Sequence, residues 1–533
     1  MEKALKMGKV SATGSFQLFI GKVLSTLILA VGTIIVGIFI LESEYGLYAI
    51  ALIPATTLLL FQDWGTGAAL IKYCASLRAA NKEDDLRKTI IAGLTFSVAT
   101  GIALTVLSLL TASLIASTIF SKPASAYMIT IASITILFTA LLTVAQSIFI
   151  GFERMKLSTI TTICQATTHG LLSPLLVYLG YGALGAVVGF TVSYVASGII
   201  AVTMLYFTIF RKLKPERICK ADILQTLRPM LKYGIPLAIA AIISGGLAQF
   251  YSFMMAAFVD AAMIGNYRIA TNFAVLLTFF VVPISTVLFP AFSKLNPRNE
   301  RQLLKTVFAA SVKYTALFLA PATMAMMVLS QPIISTIYGD KWLSAPFFLT
   351  LYVIINVPML LGTLSMSSLL SALGETRMLM KLNILTLCIG VPLAFLLIPS
   401  LGIPGLIIVS IVAGIPSIIT GLYWTWKHYE AKAELQNSAK IFLASALAAT
   451  TTYLFLNIFT AAAWITLTIG AILFLSIYLL TAPLIGAINQ TDISNLRAMF
   501  SGLGVISKLL EIPLTLIEKP LKMRVPRAET RDQ

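Results

Sequence analysis

LGYGALG at residues 179–185 is echoed by SLGIPG at residues 400–405, with Gly182 and Gly402, and again Gly185 and Gly405, standing 220 positions apart. Glycines in this spacing mark a tight turn between apolar runs, and one turn written twice is a sign of an internal repeat. Three further pairs fall near the same offset. Gly151-Phe152-Glu153-Arg154-Met155 resembles Gly374-Glu375-Thr376-Arg377-Met378, 223 apart. Ile119-Phe120-Ser121-Lys122 with Ala126 resembles Ile337-Tyr338-Gly339-Asp340-Lys341 with Ala345, 218 to 219 apart, and Gly14 and Gly234 open apolar runs 220 apart. The chain therefore reads as one unit of about 220 residues present twice.

Composition says what solvent surrounds that unit. Of 533 residues, 58% are hydrophobic and 11% charged, against roughly 45–50% and 25% in soluble domains. Mean hydropathy is +0.93. So little charge cannot clothe a water-soluble surface, which excludes ordinary soluble enzymes, nucleic-acid binders and secreted disulfide scaffolds. A spanning helix needs about 20 apolar residues. Fourteen segments qualify, near 14–40, 46–71, 89–117, 127–149, 159–179, 183–209, 233–258, 267–291, 306–330, 347–371, 382–398, 405–426, 441–459 and 463–487. The expected fold is all-α and polytopic, with two pseudo-symmetric six-helix lobes and two additional helices. In residues, these are an N-lobe at 1–209, a linker at 210–232, a C-lobe at 233–426, the additional helices at 427–487 and an amphipathic basic tail at 488–533. An even number of spans per repeat gives two copies of the same orientation, an arrangement suited to alternating access.

The formal net charge is +17, from 38 Lys and Arg against 21 Asp and Glu. Of the bases, Lys122, Arg268 and Lys341 fall toward one side of the membrane and Lys22 and Lys313 within spans; every other one falls in the alternate loops and the two ends. This asymmetry predicts a multi-pass protein of the cell membrane with both termini cytoplasmic, and it accounts for the basic excess without nucleic acid. The apolar run after Met1–Thr13 is too long for a secretory signal and reads as the first span. Cys74, Cys164, Cys219 and Cys388 are scattered, with no metal or redox spacing, and no cofactor is expected. In the tail, Ile493, Leu496, Phe500, Leu503, Ile506 and Leu510 recur at helical spacing among Lys508, Lys519, Lys522, Arg524, Arg527 and Arg531. That pattern predicts a helix lying on the anionic inner leaflet.

The tyrosine-glycine turns join with Gln62-Asp63-Trp64-Gly65, Lys232-Tyr233-Gly234-Ile235-Pro236 and PATMAMMVLSQPIISTIYGDKWLSA at 321–345. With six, six and two spans, the chain resembles the polysaccharide transporter family. That family includes Wzx-type flippases and belongs to the multidrug/oligosaccharidyl-lipid/polysaccharide superfamily, with the lipid II flippase MurJ and the MATE exporters as cousins. The resemblance implies a transporter rather than an enzyme. It would flip a phosphate- or diphosphate-linked oligosaccharide between leaflets for glycan biosynthesis, working beside membrane lipids and glycosyltransferases or an oligosaccharyltransferase. In such relatives, cations of the first and eighth spans line a central cavity. Lys22 and Arg268 are the positions here that resemble them.

An ionisable group within a span is costly unless it faces a partner or a cavity. Lys22 lies roughly 12 Å into the first span at 1.5 Å per residue, on a stripe with Ser15, Thr26 and Thr33 that is expected to face the interior. It would hold substrate phosphate, snorkel to the interface or form a structural pair. Asp63, at similar depth on the next span, is a candidate partner for Lys22, and otherwise a group for ion coupling. Arg268, followed by Thr271 and Asn272, offers a bidentate phosphate contact or an interfacial anchor. Lys313 is a cavity candidate that reads more simply as snorkelling. Gln249 is a candidate sugar contact, as are Gln146, Gln165, His169 and Asn356, unless these polar groups only bond helix to helix.

Other readings predict other residues. A Na⁺- or H⁺-coupled exporter of the MATE type needs acids deep in the spans, and Asp63 is the one convincing example. A membrane glycan enzyme needs a sizeable catalytic loop or domain, which the spacing of the spans does not leave. A scaffold without transport would give no reason for two repeats.

Overall fold

A computed structural model describes residues 2–213, 219–297, 299–459 and 461–500, with Glu511, Thr515 and Glu518 beyond them. Among the described residues the structure is helical, with no strand. The first repeat holds α1 (Glu2–Phe39), α2 (Glu42–Leu58), α3 (Thr66–Ala79), α4 (Glu83–Leu114), α5 (Ala126–Gly151), α6 (Met155–Leu176) and α7 (Gly182–Thr208). The second holds α8 (Lys220–Phe258), α9 (Ala261–Ala274), α10 (Thr278–Ser293), α11 (Arg301–Val328), α12 (Ser330–Tyr338), α13 (Ala345–Val353), α14 (Val357–Leu360), α15 (Thr363–Ala372), α16 (Thr376–Leu401) and α17 (Ile403–Tyr429). Then come α18 (Leu435–Ile458), α19 (Ala463–Ile485) and α20 (Gln490–Phe500).

Among the described residues, eleven stretches are long and apolar enough to span, or twelve if the bent pair Ala345–Leu360 and Thr363–Ala372 is one. That is fewer than the fourteen expected, for physical reasons. Met155–Lys212 counts as one stretch although Gly180, at φ 90°, breaks it into α6 and α7. The eighth expected segment is divided into α9 and α10 by a short 3-10 piece at Val275–Leu277.

Two compact units emerge. One comprises the chain through Arg268 together with Val391–Leu406; the other comprises Ile269–Gly390 and the chain from Ile407 onward. In the first, α1 lies on α6 along a seam of small residues. A Cβ at Gly14 would stand 2.8 Å from the Met155 sulfur, and one at Gly32 would stand 2.6 Å from the Gly170 Cα. In the absence of a hydrophobic drive between helices in lipid, such close approach supplies the packing energy. The inner core of this unit gathers Leu70, Cys74, Ile90, Ile148, Phe149 and Leu205. The second unit is built on Phe292, Phe308, Val312, Leu369 and Leu370. At its polar edge, Glu430 accepts from Lys305 at 2.5 Å, which holds its carboxyl below the ordinary glutamate value.

The repeated turns recur as backbone. Gly182 and Gly402 both have positive φ, 49° and 62°. A Cβ at Gly185 would meet the backbone of Leu176 and one at Gly405 that of Leu397, so each glycine lets a helix double back onto the preceding one. Ser121 and Gly339 likewise share a left-handed backbone, at 52° and 71°. The pairing of Gly151 with Gly374 is corrected by two positions. The residues in equivalent conformation are Glu153 (58°) and Gly374 (77°), each followed by the same hydrogen-bond pattern, Arg154 N to Phe149 O and Glu375 N to Leu370 O, both 2.8 Å. The matching letters were offset from the matching turn because glutamate in one copy holds the left-handed position that glycine holds in the other.

Candidate functional site

The second expected span, 46–71, is not one helix. Trp64 (φ 47°) and Gly65 (φ 75°) take left-handed backbone, which stops α2 and the 3-10 turn after it and starts α3. Asp63 therefore stands before a new helix whose first N–H groups lack partners. Its carboxylate accepts from the Gly67 N–H at 2.7 Å and the Thr66 hydroxyl at 2.8 Å. The expected pairing with Lys22 is not formed, because the helix terminus claims the carboxylate instead. Asp63→Ala is expected to cost about 1 kcal/mol of stability, and Asp63→Asn much less, since both aspartate and asparagine cap well. Thermal unfolding of the purified variants checks the order.

Lys22 projects from the exposed side of α1, adjacent to Gly21 on the seam with α6. The polar stripe does not form an internal face: Thr26 and Thr33 return their hydroxyls to Lys22 O (2.8 Å) and Ala30 O (3.0 Å) of their own helix. The Ser15 side chain lies outside the described residues.

Arg268 is half-buried on α9, within electrostatic reach of Tyr48 on α2. Around Tyr48 lies a polar and aromatic core that sequence spacing resolved only in part. The Tyr48 hydroxyl is 3.4 Å from His169 Nε2, His169 meets Phe190 edge-on at 5.3 Å, and Phe190 contacts Tyr194 at 5.0 Å. Gln165 donates to Ser193 at 3.3 Å, and Gln146 donates to Thr161 and Thr162 at 3.0 and 3.1 Å. These amides bond helix to helix. A cavity of about 10 Å³, lined by Thr33, Tyr45, Tyr48, His169 and Ser173 among others, has room for one water and not for a sugar.

Gln249 on α8 accepts from Thr57 at 3.3 Å and Thr56 at 3.4 Å, fastening α8 to the last turn of α2. Two glycine crossings flank this fastening, one near the start of α2 and one in the turn beyond its end. A Cβ at Gly46 would fall on the Ala261 carbonyl, and one at Gly265 on the Glu42 carbonyl, while Asn266 donates to Glu42 at 2.9 Å. At the far end, Gly65 and Gly234 meet backbone to backbone, a Cβ on Gly234 lying 2.7 Å from the Gly65 carbonyl oxygen. Gly234 was noted in the sequence as the opening of a span; Gly46, Gly265 and Glu42 carried no sequence signal, because crossings depend on tertiary approach.

In the second unit, Asn272 is half-buried on α9 and Asn356 donates to the Val353 carbonyl at 3.3 Å. Lys313 is neither snorkelling nor unpaired. It donates to Asp492 of α20 at 2.6 Å, with 15% of the lysine side chain and 7% of the aspartate side chain exposed. Tyr314 accepts from Asn495 at 3.1 Å beside it. The start of the tail is thus docked on α11 rather than lying on the leaflet, with Ile493 and Leu496 buried. Leu503, Ile506, Leu510 and the bases from Lys508 to Arg531 lie outside the described residues. So Lys22, Asp63, Gln249 and Arg268 belong to the first unit, and Asn272 and Lys313 to the second.

Residues 11–296 match a family described as polysaccharide biosynthesis protein, and residues 246–475 match the lipid II flippase MurJ family. The lipopolysaccharide biosynthesis protein WzxC of Escherichia coli K12 is 28% identical over 183 residues, covering 34% of this chain and 35% of that protein. A probable low-salt glycan biosynthesis flippase of Haloferax volcanii, Agl15, is 23% identical over 173 residues, 31% of this chain and 36% of that one. The chain thus aligns with about a third of the length of these two relatives. A structure of lipid II flippase MurJ in an inward closed conformation superposes with a TM-score of 0.70 at 18% identity, covering 89% of this chain and 98% of that one. An inward-facing multidrug MATE transporter gives 0.63 at 16% identity, with 75% and 94% covered. The match over residues 11–296 takes in more than half of the sequence, and the chain belongs to the polysaccharide biosynthesis protein family.

Proposed function

We propose that this membrane protein translocates a lipid-linked oligosaccharide, carried on a phosphate or diphosphate, from the cytoplasmic to the outer leaflet of the cell membrane. Both termini are cytoplasmic in this reading. The single observation that carries it is the shared helical architecture, which takes in almost all of a lipid II flippase while spanning 89% of this chain. The names of the two relatives, a lipopolysaccharide biosynthesis protein and a probable glycan biosynthesis flippase, support a glycan cargo. Gly46 with Gly265 crosses near the start of α2, and Gly65 with Gly234 crosses beyond its end, in the turn before α3. In the proposed cycle these crossings part in turn, one at each face, as the first six spans rock against the following ones. Lys22 and Arg268 neutralise the phosphate, Asn272 and Gln249 accompany the sugar, and glycosyltransferases of the same route supply the cargo.

Drug export driven by cation coupling is the weaker reading, because Asp63 is occupied as a helix cap. The test is leaflet accessibility of a labelled lipid-linked oligosaccharide in liposomes holding the purified protein. Wild type is expected to expose the label, and Arg268→Ala and Lys22→Ala each to slow it by about tenfold or more, the loss of one charge-assisted hydrogen bond. Absence of wild-type translocation under imposed Na⁺, H⁺ and voltage gradients, with several carrier lipids, would overturn the proposal.

A further inference from the structure

At the end of the first unit where α3, α5 and α7 finish, their terminal turns surround a cavity of about 220 Å³. Its wall carries four bases, Arg78, Lys82, Arg154 and Lys212, with Glu83 as its one acid, and its apolar part includes Leu86 and Phe152. None of these residues belongs to the translocation machinery proposed above.

The turns build this wall for a local reason. Asn81 (φ 55°) and Glu153 (φ 58°) take left-handed backbone after α3 and α5, so the chain reverses within a few residues and leaves helix C-terminal carbonyls clustered there. Cations suit such carbonyls. Arg78 donates Nη1 to Phe152 O at 2.5 Å and stands 3.6 Å from Glu153, while Arg154 donates Nη1 to Thr208 O at 3.0 Å. Each guanidinium is anchored through one of its nitrogens. It retains Nη2 and Nε without a protein partner among the described residues, and Lys82 and Lys212 have no side-chain partner there either.

Two anchored guanidiniums with free donors, two unengaged ammonium groups and an apolar wall form a receptor for an anion on an amphiphilic body. Guanidinium matches the tetrahedral oxygens of phosphate with paired N–H groups, and lysine adds charge without fixed direction. We propose that this pocket is a phosphate-binding site, separate from the translocation route. It takes either the phosphodiester headgroup of an anionic lipid or a soluble phosphate compound.

The two sources are separated by probing the full-length wild-type protein in nanodiscs of phosphatidylcholine. One arm adds inorganic pyrophosphate at constant ionic strength, and the other replaces part of the lipid with phosphatidylglycerol. The readout is the rate of acetylation of Lys82 and Lys212 by an amine reagent, followed by mass spectrometry. Exposed Lys156, which does not line the cavity, is the reference. Protection of both lysines by about threefold or more, with Lys156 unchanged, is expected in at least one arm. Protection by the lipid alone identifies a headgroup site, by pyrophosphate alone a soluble-phosphate site, and by both a site that accepts either. A Lys82→Gln/Lys212→Gln double variant is expected to weaken the same ligand by about tenfold, read as a thermal shift. No protection in either arm, equal protection of Lys156, or a folded double variant that binds as wild type would overturn the proposal. Because transport is not measured, failure of the flippase reading leaves this result unaffected.

Discussion

Lys313→Met is expected to be among the most destabilising single substitutions in the second unit. It leaves the Asp492 carboxylate, with 7% of its side chain exposed, facing no cation. Removing one partner of a buried ion pair costs about 3–5 kcal/mol, much of it the penalty of the charge left behind. For a cooperative unit of this size the unfolding midpoint should drop by roughly 10 °C. The distinguishing result is the double variant Lys313→Met/Asp492→Asn, which removes both charges while an amide still accepts from the Asn489 N–H, now 2.8 Å from the carboxylate. It should recover part of the lost midpoint, because no orphaned charge remains. A Lys313→Met midpoint equal to that of wild type would show that the pair contributes nothing.

Gly65→Val is expected to have the second large effect. A β-branched residue is strongly disfavoured at φ 75°, and the left-handed backbone alone costs about 1–2 kcal/mol. The larger consequence is geometric, since the new Cβ would fall on the Gly234 carbonyl and must push α8 away from the turn between α2 and α3. Flipping should slow by about tenfold or more if closure of this crossing is a step of the cycle. Gly67→Ala, two residues on, is the control. Its Cβ meets chiefly the Ser147 hydroxyl at 2.9 Å, the end of a short side chain that can rotate. Wild-type flipping by Gly65→Val in the liposome assay would remove this crossing from the mechanism.

The sequence disclosed the elements that depend on local chemistry. The glycine turns at 182 and 402 were legible because a positive φ selects glycine, and that constraint is written in single residues. The same rule explains the slip at Glu153, where an acid occupies the left-handed position and hides the equivalence with Gly374. Asp63 was legible as an acid within the second expected span but not as a cap, because its partner is the backbone of Gly67, made available only by the break at Trp64 and Gly65. Lys313 was misread for a related reason. Depth in a span suggests snorkelling, whereas the carboxylate that holds it comes from a helix 179 positions further along the chain. The interhelical roles of Gln146 and Gln249 were anticipated in kind, since amides in lipid seek neighbours, although their threonine partners were not.

The docking of α20 on α11 also sets an order of events during synthesis. Lys313 is made 179 residues before Asp492. At about 5–20 residues per second, it waits roughly 9–36 s for its counter-charge. During that interval the helix that carries it lacks the carboxylate that pairs with its amine, and the second unit lacks the strut that α20 supplies. A ribosome that stops before α20 would release a chain with every long apolar helix made and one cation uncompensated. Such a chain differs from the full one in the buried charge at Lys313, and truncation before α20 is expected to lower its stability.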